Sequence, residues 1–261
     1  HYFSATGWDR LDPGSPAPGA GTNANPYHQF SSGITSLSPF SVGSCDITPL
    51  DYRTIADGDW TDVNIWEVWI PAASQWLAAS VVNTSCGAVG YPTALSRTVQ
   101  VRHTVMYNYT IPIGVDQVTI ATTGHLTVPA GVELFLADGP GSDFATASNG
   151  RDLDNLGYFE ITGAFTLLTG NPLLVNQDPS TVHYNGGNQP LWNGSYSNLI
   201  LDGPLPINAA SLKTVTGNVT QVRTSLRFAN AKMVLGGFNC ELLAACSVIN
   251  PSQTTGYMVA T

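Results

Sequence analysis

Acidic side chains concentrate in one stretch of the sequence, and carboxylates are suited both to binding calcium and to acid–base chemistry. The stretch holds Asp138, Asp143, Asp152, Asp154 and Glu160. Its segment NGRDLDN, residues 149–155, offers oxygen ligands at alternating positions, as the hard Ca²⁺ ion prefers, but lacks the regular spacing and terminal Glu of a twelve-residue calcium loop. Acids that only keep a loop soluble are the favoured interpretation of this stretch, and a weak calcium site at Asp152 and Asp154, or a catalytic pair of acids, are the alternatives.

Histidine and serine residues form no recognisable catalytic set. The histidines are His1, His28, His103, His125 and His183. His103 and His125 occupy matching places in neighbouring strand-like runs, so stacked strands would bring them together, either around a ligand or metal or in a plain ladder of polar side chains. No Ser lies in a nucleophile-elbow pattern, and GPGS at 139–142 lacks the Lys of a phosphate loop. We therefore predict that the protein is not an enzyme, and we assign no catalytic residue.

Aromatic residues near Gly and Asn form a second candidate binding site. Tyr184, Trp192 and Tyr196 lie in a Gly- and Asn-rich region, and exposed rings with polar tips are suited to stacking on sugars. Packing in the protein interior is the favoured interpretation, and a carbohydrate-binding site at these three residues is the alternative.

Tryptophans cluster further upstream, at Trp60, Trp66, Trp69 and Trp76. A buried Trp brings a large apolar area and needs one partner for its N–H. We interpret this cluster as a hydrophobic cap over the end of a stack of strands, and a sugar-binding platform is the alternative.

The four cysteines are Cys45, Cys86, Cys240 and Cys246. None forms a C-x-x-C pair and no His lies at metal-ligand spacing from them. We predict two disulfides formed in an oxidising compartment, of which Cys45–Cys86 and Cys240–Cys246 is the most local of three connectivities. Free buried thiols are the alternative, because unpaired Cys is commonly buried.

Composition and charge exclude several classes of partner. The net charge is −9 with only nine Lys and Arg residues, so the chain lacks the basic stripe that nucleic acids or anionic membranes require. No apolar run approaches the roughly 20 residues of a membrane-spanning helix. The chain begins at His1 without a signal peptide, which suggests a mature or trimmed form. Charged residues make up 10% of the chain, and Gly (26) and Pro (17) are abundant, which is typical of a turn-rich, uncharged extracellular surface.

Short alternating apolar runs follow one another from Leu95 to Leu136 and predict β-strands, because alternation places one set of side chains on a single face. Similar runs recur to the end of the chain at irregular intervals. This pattern favours a right-handed parallel β-helix, whose corners absorb insertions and whose coils bury their inner face by stacking. An antiparallel β-sandwich is the alternative fold.

The sequence divides into three regions. Residues 1–44 are rich in Gly, Pro and Ser and predict an extended arm with one or two strands. Residues 45–94 form the Trp-rich cap or bridge, and residues 95–261 form the coils of the β-helix.

Several segments together resemble the repetitive β-helix surface proteins of Bacteroidetes. They are YRTIADGDWTD at 52–62, IW at 65–66, TVQVRHTV at 98–105, GHLTV at 124–128, VHYNG at 182–186 and YSNLILDG at 196–203. SLSPFSVGS at 36–44 resembles the end of a β-sandwich module in proteins of the same kind. The resemblance implies secretion to the cell surface, commonly by the type IX route, and implies no enzyme activity. The chain lacks the basic C-terminal sorting domain of that group.

These observations predict a secreted, cell-surface or extracellular protein with a structural or adhesive function. The open coil faces of a β-helix expose unpaired backbone groups that invite strand addition, and head-to-tail stacking that does not close yields a filament. We expect the arm, or the last strand at 256–261, to complement the next subunit in a homopolymer. A carbohydrate-binding module and a polysaccharide lyase or hydrolase on the same scaffold are the alternatives; no cofactor other than calcium is suggested.

Overall fold

Parallel strands stack into a β-helix. The computed structural model describes residues 2–4, 7–9, 49–82, 90–110, 114–139, 141–146, 151–163, 165–167, 173–204, 211–217, 219–251 and 256–259. The predicted β-helix is confirmed, and the antiparallel sandwich is wrong, because successive coils pair in parallel throughout the described sheets.

The chain divides into two compact units, His1–Asp46 and Ile47–Thr261. In the first unit, the described residues form an antiparallel hairpin in which Phe3 pairs with Trp8. The rest of the predicted arm, including Cys45, lies outside the described residues, as does Cys86.

The described strands are, in chain order, β1 (Tyr2–Ser4), β2 (Gly7–Asp9), β3 (Leu50–Thr54), β4 (Gly58–Asp59), β5 (Trp66–Ile70), β6 (Gln75–Ala78), β7 (Ser96–Val101), β8 (Thr104–Met106), β9 (Gly114–Val115), β10 (Val118–Ile120), β11 (His125–Val128), β12 (Glu133–Leu136), β13 (Phe144–Thr146), β14 (Arg151–Asn155), β15 (Tyr158–Ile161), β16 (Phe165–Leu167), β17 (Leu173–Asn176), β18 (Thr181–Tyr184), β19 (Gln189–Leu191), β20 (Gly194–Leu201), β21 (Leu212–Val215), β22 (Val219–Phe228), β23 (Lys232–Val234), β24 (Asn239–Leu242), β25 (Ser247–Ile249) and β26 (Met258–Val259). In the described ranges, three short 3₁₀ helices lie between β4 and β7: Val63–Ile65, Pro71–Ala73 and Ala79–Val81. No described helix is long and apolar enough to cross a membrane.

The strands form three faces around the axis. The first face contains β3, β7, β10, β13 and β16 in one sheet and β19, β21, β23 and β26 in another. The second face contains β4, β8, β11, β14, β17 and β24, and the third contains β9, β12, β15, β18 and β25. Strands β20 and β22 are long enough to turn the corner and serve both the second and third faces.

The core consists of inward side chains that stack in register from coil to coil. On the third face, for example, Leu134, Phe159, Val182, Leu199 and Leu226 pair in succession, and each is 0% exposed. The alternation in the sequence thus translates directly into one buried and one outward set of side chains. Because each coil covers the next, stacking completes the burial that a single coil cannot provide.

Candidate functional site

The last coil of the β-helix presents strand edges. In the described part of the chain, β24 and β25 pair only with β22, and β26 pairs only with β23. One edge of each strand therefore carries backbone N–H and C=O groups that can pair with an added strand.

Apolar side chains of the core are uncovered at this end. Val248 continues the inward stack below Leu226, and Met258 continues the one below Met233. Leu226 and Met233 are 0% exposed, whereas Val248 is 38% and Met258 is 39% exposed. Leu242 and Cys240 in β24 are half-buried against the same core. The end of the last coil is thus a cross-section of the core bordered by strand edges, which we call the open last coil.

The opposite end is closed by aromatic side chains and by β5 and β6. Trp60 and Trp66 are 0% exposed and lie edge to face, with ring centroids 5.1 Å apart, and Tyr107 packs on Trp60 at 5.0 Å. Each indole N–H has a partner, since Trp60 donates to the Pro92 carbonyl (3.0 Å) and Trp66 to the Trp60 carbonyl (2.8 Å). These two tryptophans are buried like a cap and present no platform for sugars.

Lys213 is a buried cation near the lower part of the first face. It is 0% exposed, and its Nζ donates to the Gly186 carbonyl (2.6 Å), the Gly187 carbonyl (2.9 Å) and Gln189 Oε1 (2.6 Å). Burial lowers the pKa of Lys213 to about 7, against the attraction of Asp202. The hydrogen bonds of the Lys213 ammonium group connect β21 to the corner at Gly186 and Gly187. No sequence pattern indicated this role.

Three aspartates from two successive coils meet at another corner, Asp116 from one coil and both Asp138 and Asp143 from the next. Asp143 is 0% exposed and accepts a hydrogen bond from the Gly139 N–H (2.9 Å). Burial and then the neighbouring Asp143 raise the pKa of Asp116 to about 6, with a smaller contribution from Asp138. Glycine makes room for the carboxylates, since a Cβ at Gly139 would overlap Asp116 and one at Gly163 would overlap Asp143.

A polar cluster lies on the outer side of the third face. Tyr158 Oη is 2.7 Å from His183 Nδ1, which is 3.0 Å from Glu160 Oε2, and Asn185 donates to Glu160 Oε1 at 3.0 Å. Burial opposes ionisation of Glu160, but hydrogen bonds from His183 and Asn185 outweigh it and lower its pKa. His183 Nε2 faces Asp202 at 3.8 Å and is itself inaccessible to solvent. The cluster links coils to one another.

The aromatic residues predicted to bind sugars are buried instead. Tyr184, Trp192 and Tyr196 are each 0% exposed. Their polar atoms are hydrogen-bonded to one another. The two tyrosine hydroxyls lie 3.1 Å apart, the backbone N–H of Trp192 donates to Tyr184 Oη (3.0 Å), and the Tyr196 hydroxyl donates to the Trp192 backbone carbonyl. These residues thus pack in the protein interior, and the alternative of a carbohydrate site here is wrong, because no ring face is open to a ligand.

Asp152 and Asp154, the two residues of the candidate calcium site, differ in their exposure to solvent. Asp152 is 0% exposed, whereas the Asp154 side chain is 13% exposed and lies 3.5 Å from His125 Nε2. Within the described ranges, no group of three or more His, Cys, Asp or Glu side chains is arranged to hold a metal ion. His103 and His125 do come from adjacent coils, and His103 Nδ1 lies 3.1 Å from Thr54 Oγ1.

Cys240 and Cys246 are free thiols, so the predicted bond between them is wrong. Cys240 lies on β24 in the second face, and Cys246 immediately precedes β25 in the third face, across a corner of the open last coil. Burial raises the pKa of Cys240 to about 11 and also raises that of Cys246. The predicted Cys45–Cys86 pair lies outside the described residues.

Comparisons with protein-family models, with curated proteins and with solved structures each gave no significant match. The parallel stack of coils by itself places the chain in the class of β-helix, or β-solenoid, proteins.

Proposed function

We propose that the protein is an extracellular structural or adhesive protein whose copies associate end to end by strand addition. The open last coil carries this proposal, since it combines strand edges with uncovered core residues at one end of the β-helix. The low charged fraction of 10% fits an extracellular surface, and the resemblance to Bacteroidetes surface proteins points the same way.

Electron microscopy of the purified 261-residue chain in non-denaturing buffer tests the proposal. Regular fibres are the expected result, and discrete single particles at every concentration up to the solubility limit would overturn self-association. Repeating the experiment on a chain without residues 1–44 tests whether the arm takes part in assembly. Fibres as long as those of the full chain would exclude that role.

A variant pair tests whether the open last coil is the joint. Val248→Glu places a charge on the uncovered core, whereas Gln100→Glu places one on the exposed side of β7, which is paired on both edges. Burying Val248 against a second copy contributes about 1.5 kcal/mol to the free energy of association. Losing this burial therefore weakens the affinity of each joint by at least about tenfold. The control should assemble like the wild type; equal assembly of both variants would exclude this end as the joint.

A further inference from the structure

The two ends of the β-helix carry charges of opposite sign. Near the closed end, residues 51–67 contain five acids and one base: Asp51, Asp57, Asp59, Asp62, Glu67 and Arg53. Near the open last coil, residues 211–259 contain four bases and one acid: Lys213, Arg223, Arg227, Lys232 and Glu241. A chain with net charge −9 thus concentrates cations at one end.

Ion pairs within the subunit neutralise some of these charges. At the closed end, Arg53 pairs with Glu67 (2.6 Å) and Asp51 pairs with Arg97. The remaining acids there, Asp57, Asp59 and Asp62, are exposed and make no ion pair with a described residue.

At the other end, Lys213 is buried and Arg223 lies 3.3 Å from Asp178. Arg227 is exposed and Lys232 is half-exposed, and neither pairs with a described acid. These two cations lie one strand away from the open edges, since Arg227 pairs with Ile249 and β23 pairs with β26.

Strand direction at the closed end suits a second copy. Strand β5 runs antiparallel to β3, and β6 runs antiparallel to β5, so β6 runs in the same direction as β3 and β7. In the described sheets, β6 is the outermost strand of the first face at this end, and β26 is the outermost one at the other. Because the chain winds in one sense around the axis, a coaxial head-to-tail copy would set β26 and β6 parallel, like the coils themselves.

We propose that the open last coil docks on the closed, acidic end of a second copy of this chain, so that assembly is head to tail. This inference rests on the proposed end-to-end association and adds the partner surface and the polarity. Across each joint the unpaired cations Arg227 and Lys232 of one copy attract the unpaired acids Asp57, Asp59 and Asp62 of the next through the field between the two ends rather than by direct ion pairs, because β26, β5 and β6 lie between them. A head-to-tail contact leaves both outer ends open, and unless rotation closes a ring, it extends as a filament.

Reciprocal charge reversal tests the pairing of the two ends. Variant N carries Asp59→Lys and Asp62→Lys, and variant C carries Arg227→Glu and Lys232→Glu, with Glu133→Lys on an outer side of β12 as the control. Thermal melts followed by circular dichroism establish that each variant folds. We expect each variant alone to assemble at least about tenfold more weakly than the wild type, in keeping with typical electrostatic effects on association. An equimolar mixture of N and C should assemble again, because their ends are complementary.

Cross-linking of carboxylates through a dihydrazide spacer determines the polarity directly. A bridge between Glu241 of one copy, which is exposed on β24, and Asp57, Asp59 or Asp62 of another, found by mass spectrometry, is expected. If wild type, N and C all assemble alike, or if the cross-links join last coil to last coil, the head-to-tail inference is overturned while self-association stands. If the wild type stays monomeric throughout, both proposals are overturned.

Discussion

Replacing Lys213 by Met is expected to change how the stability of the protein depends on pH. The side chain is 0% exposed and its Nζ is surrounded by neutral acceptors, and its burial lowers the pKa to about 7 from an ordinary 10.5. Below pH 7, Lys213 is protonated in both folded and unfolded chains, and the folded state bears the whole cost of burying the charge. Between pH 7 and 10.5 the folded state has released a proton that the unfolded chain still binds, so the free energy of unfolding rises with pH.

The size of this effect follows from the two pKa values. One pKa unit corresponds to about 1.4 kcal/mol, so the full difference amounts to about 5 kcal/mol, of which about 4 kcal/mol is gained between pH 6 and pH 10. Lys213→Met removes this gain. It also deprives the Gly186 and Gly187 carbonyls of their donor, which adds a cost of about 1–3 kcal/mol for each unpaired group at every pH.

Urea unfolding of wild type and Lys213→Met at pH 6, 7, 8, 9 and 10 measures the difference. The stability of the wild type relative to the variant should increase by about 4 kcal/mol over this range, while the offset from the unpaired carbonyls stays constant. Arg102→Met, which removes an exposed cation directly after β7, serves as the control. Parallel curves for wild type and Lys213→Met would refute the reasoning, because Lys213 would then titrate as it does in water.

Two further predictions concern the aspartate corner and the cysteines. The pKa of Asp116 is raised to about 6, so its protonated form favours the folded state at low pH, and this contribution to stability is lost as the pH rises through 6. Asp116→Asn should therefore raise the melting temperature at pH 8 and leave it nearly unchanged at pH 4. An equal shift of the melting temperature at both pH values would contradict the raised pKa. Cys240 and Cys246 are free and Cys240 has a pKa of about 11, so at pH 8 iodoacetamide should alkylate Cys246 faster than the more deeply buried Cys240, as followed by peptide mass spectrometry without reduction. Equal rates would contradict the difference in burial, and a Cys240–Cys246 disulfide in the unreduced protein would contradict the free thiols.

The alternation of apolar residues was sufficient to predict the β-helix, because stacked coils require one inward set of side chains on every short strand. Val99 and Val118, for instance, lie in separate alternating runs and pair directly in the first face. Open coil faces were also expected from the fold, but β5 and β6 fold back antiparallel over one end. The alternation of apolar residues does not indicate that these two strands fold back.

The sites were harder to predict than the fold, because burial depends on what the neighbouring coil supplies. Tyr184 and Tyr196 lie in a Gly- and Asn-rich region that suggested exposure, yet their hydroxyls bond to each other across two coils in the core. A polar tip is compatible with burial when another coil provides the partner.

By itself, the sequence determined the β-strand period, the repetition of the coils and the acidic, lightly charged surface, since these depend only on local residue order and composition. The tertiary structure decided that Lys213 lies in the core, that Asp116 and Asp143 share a corner, and that Val248 and Met258 are uncovered at one end. Irregular corners set which residues of successive coils meet, and because their lengths vary from coil to coil, these contacts follow only from the assembled three-dimensional stack.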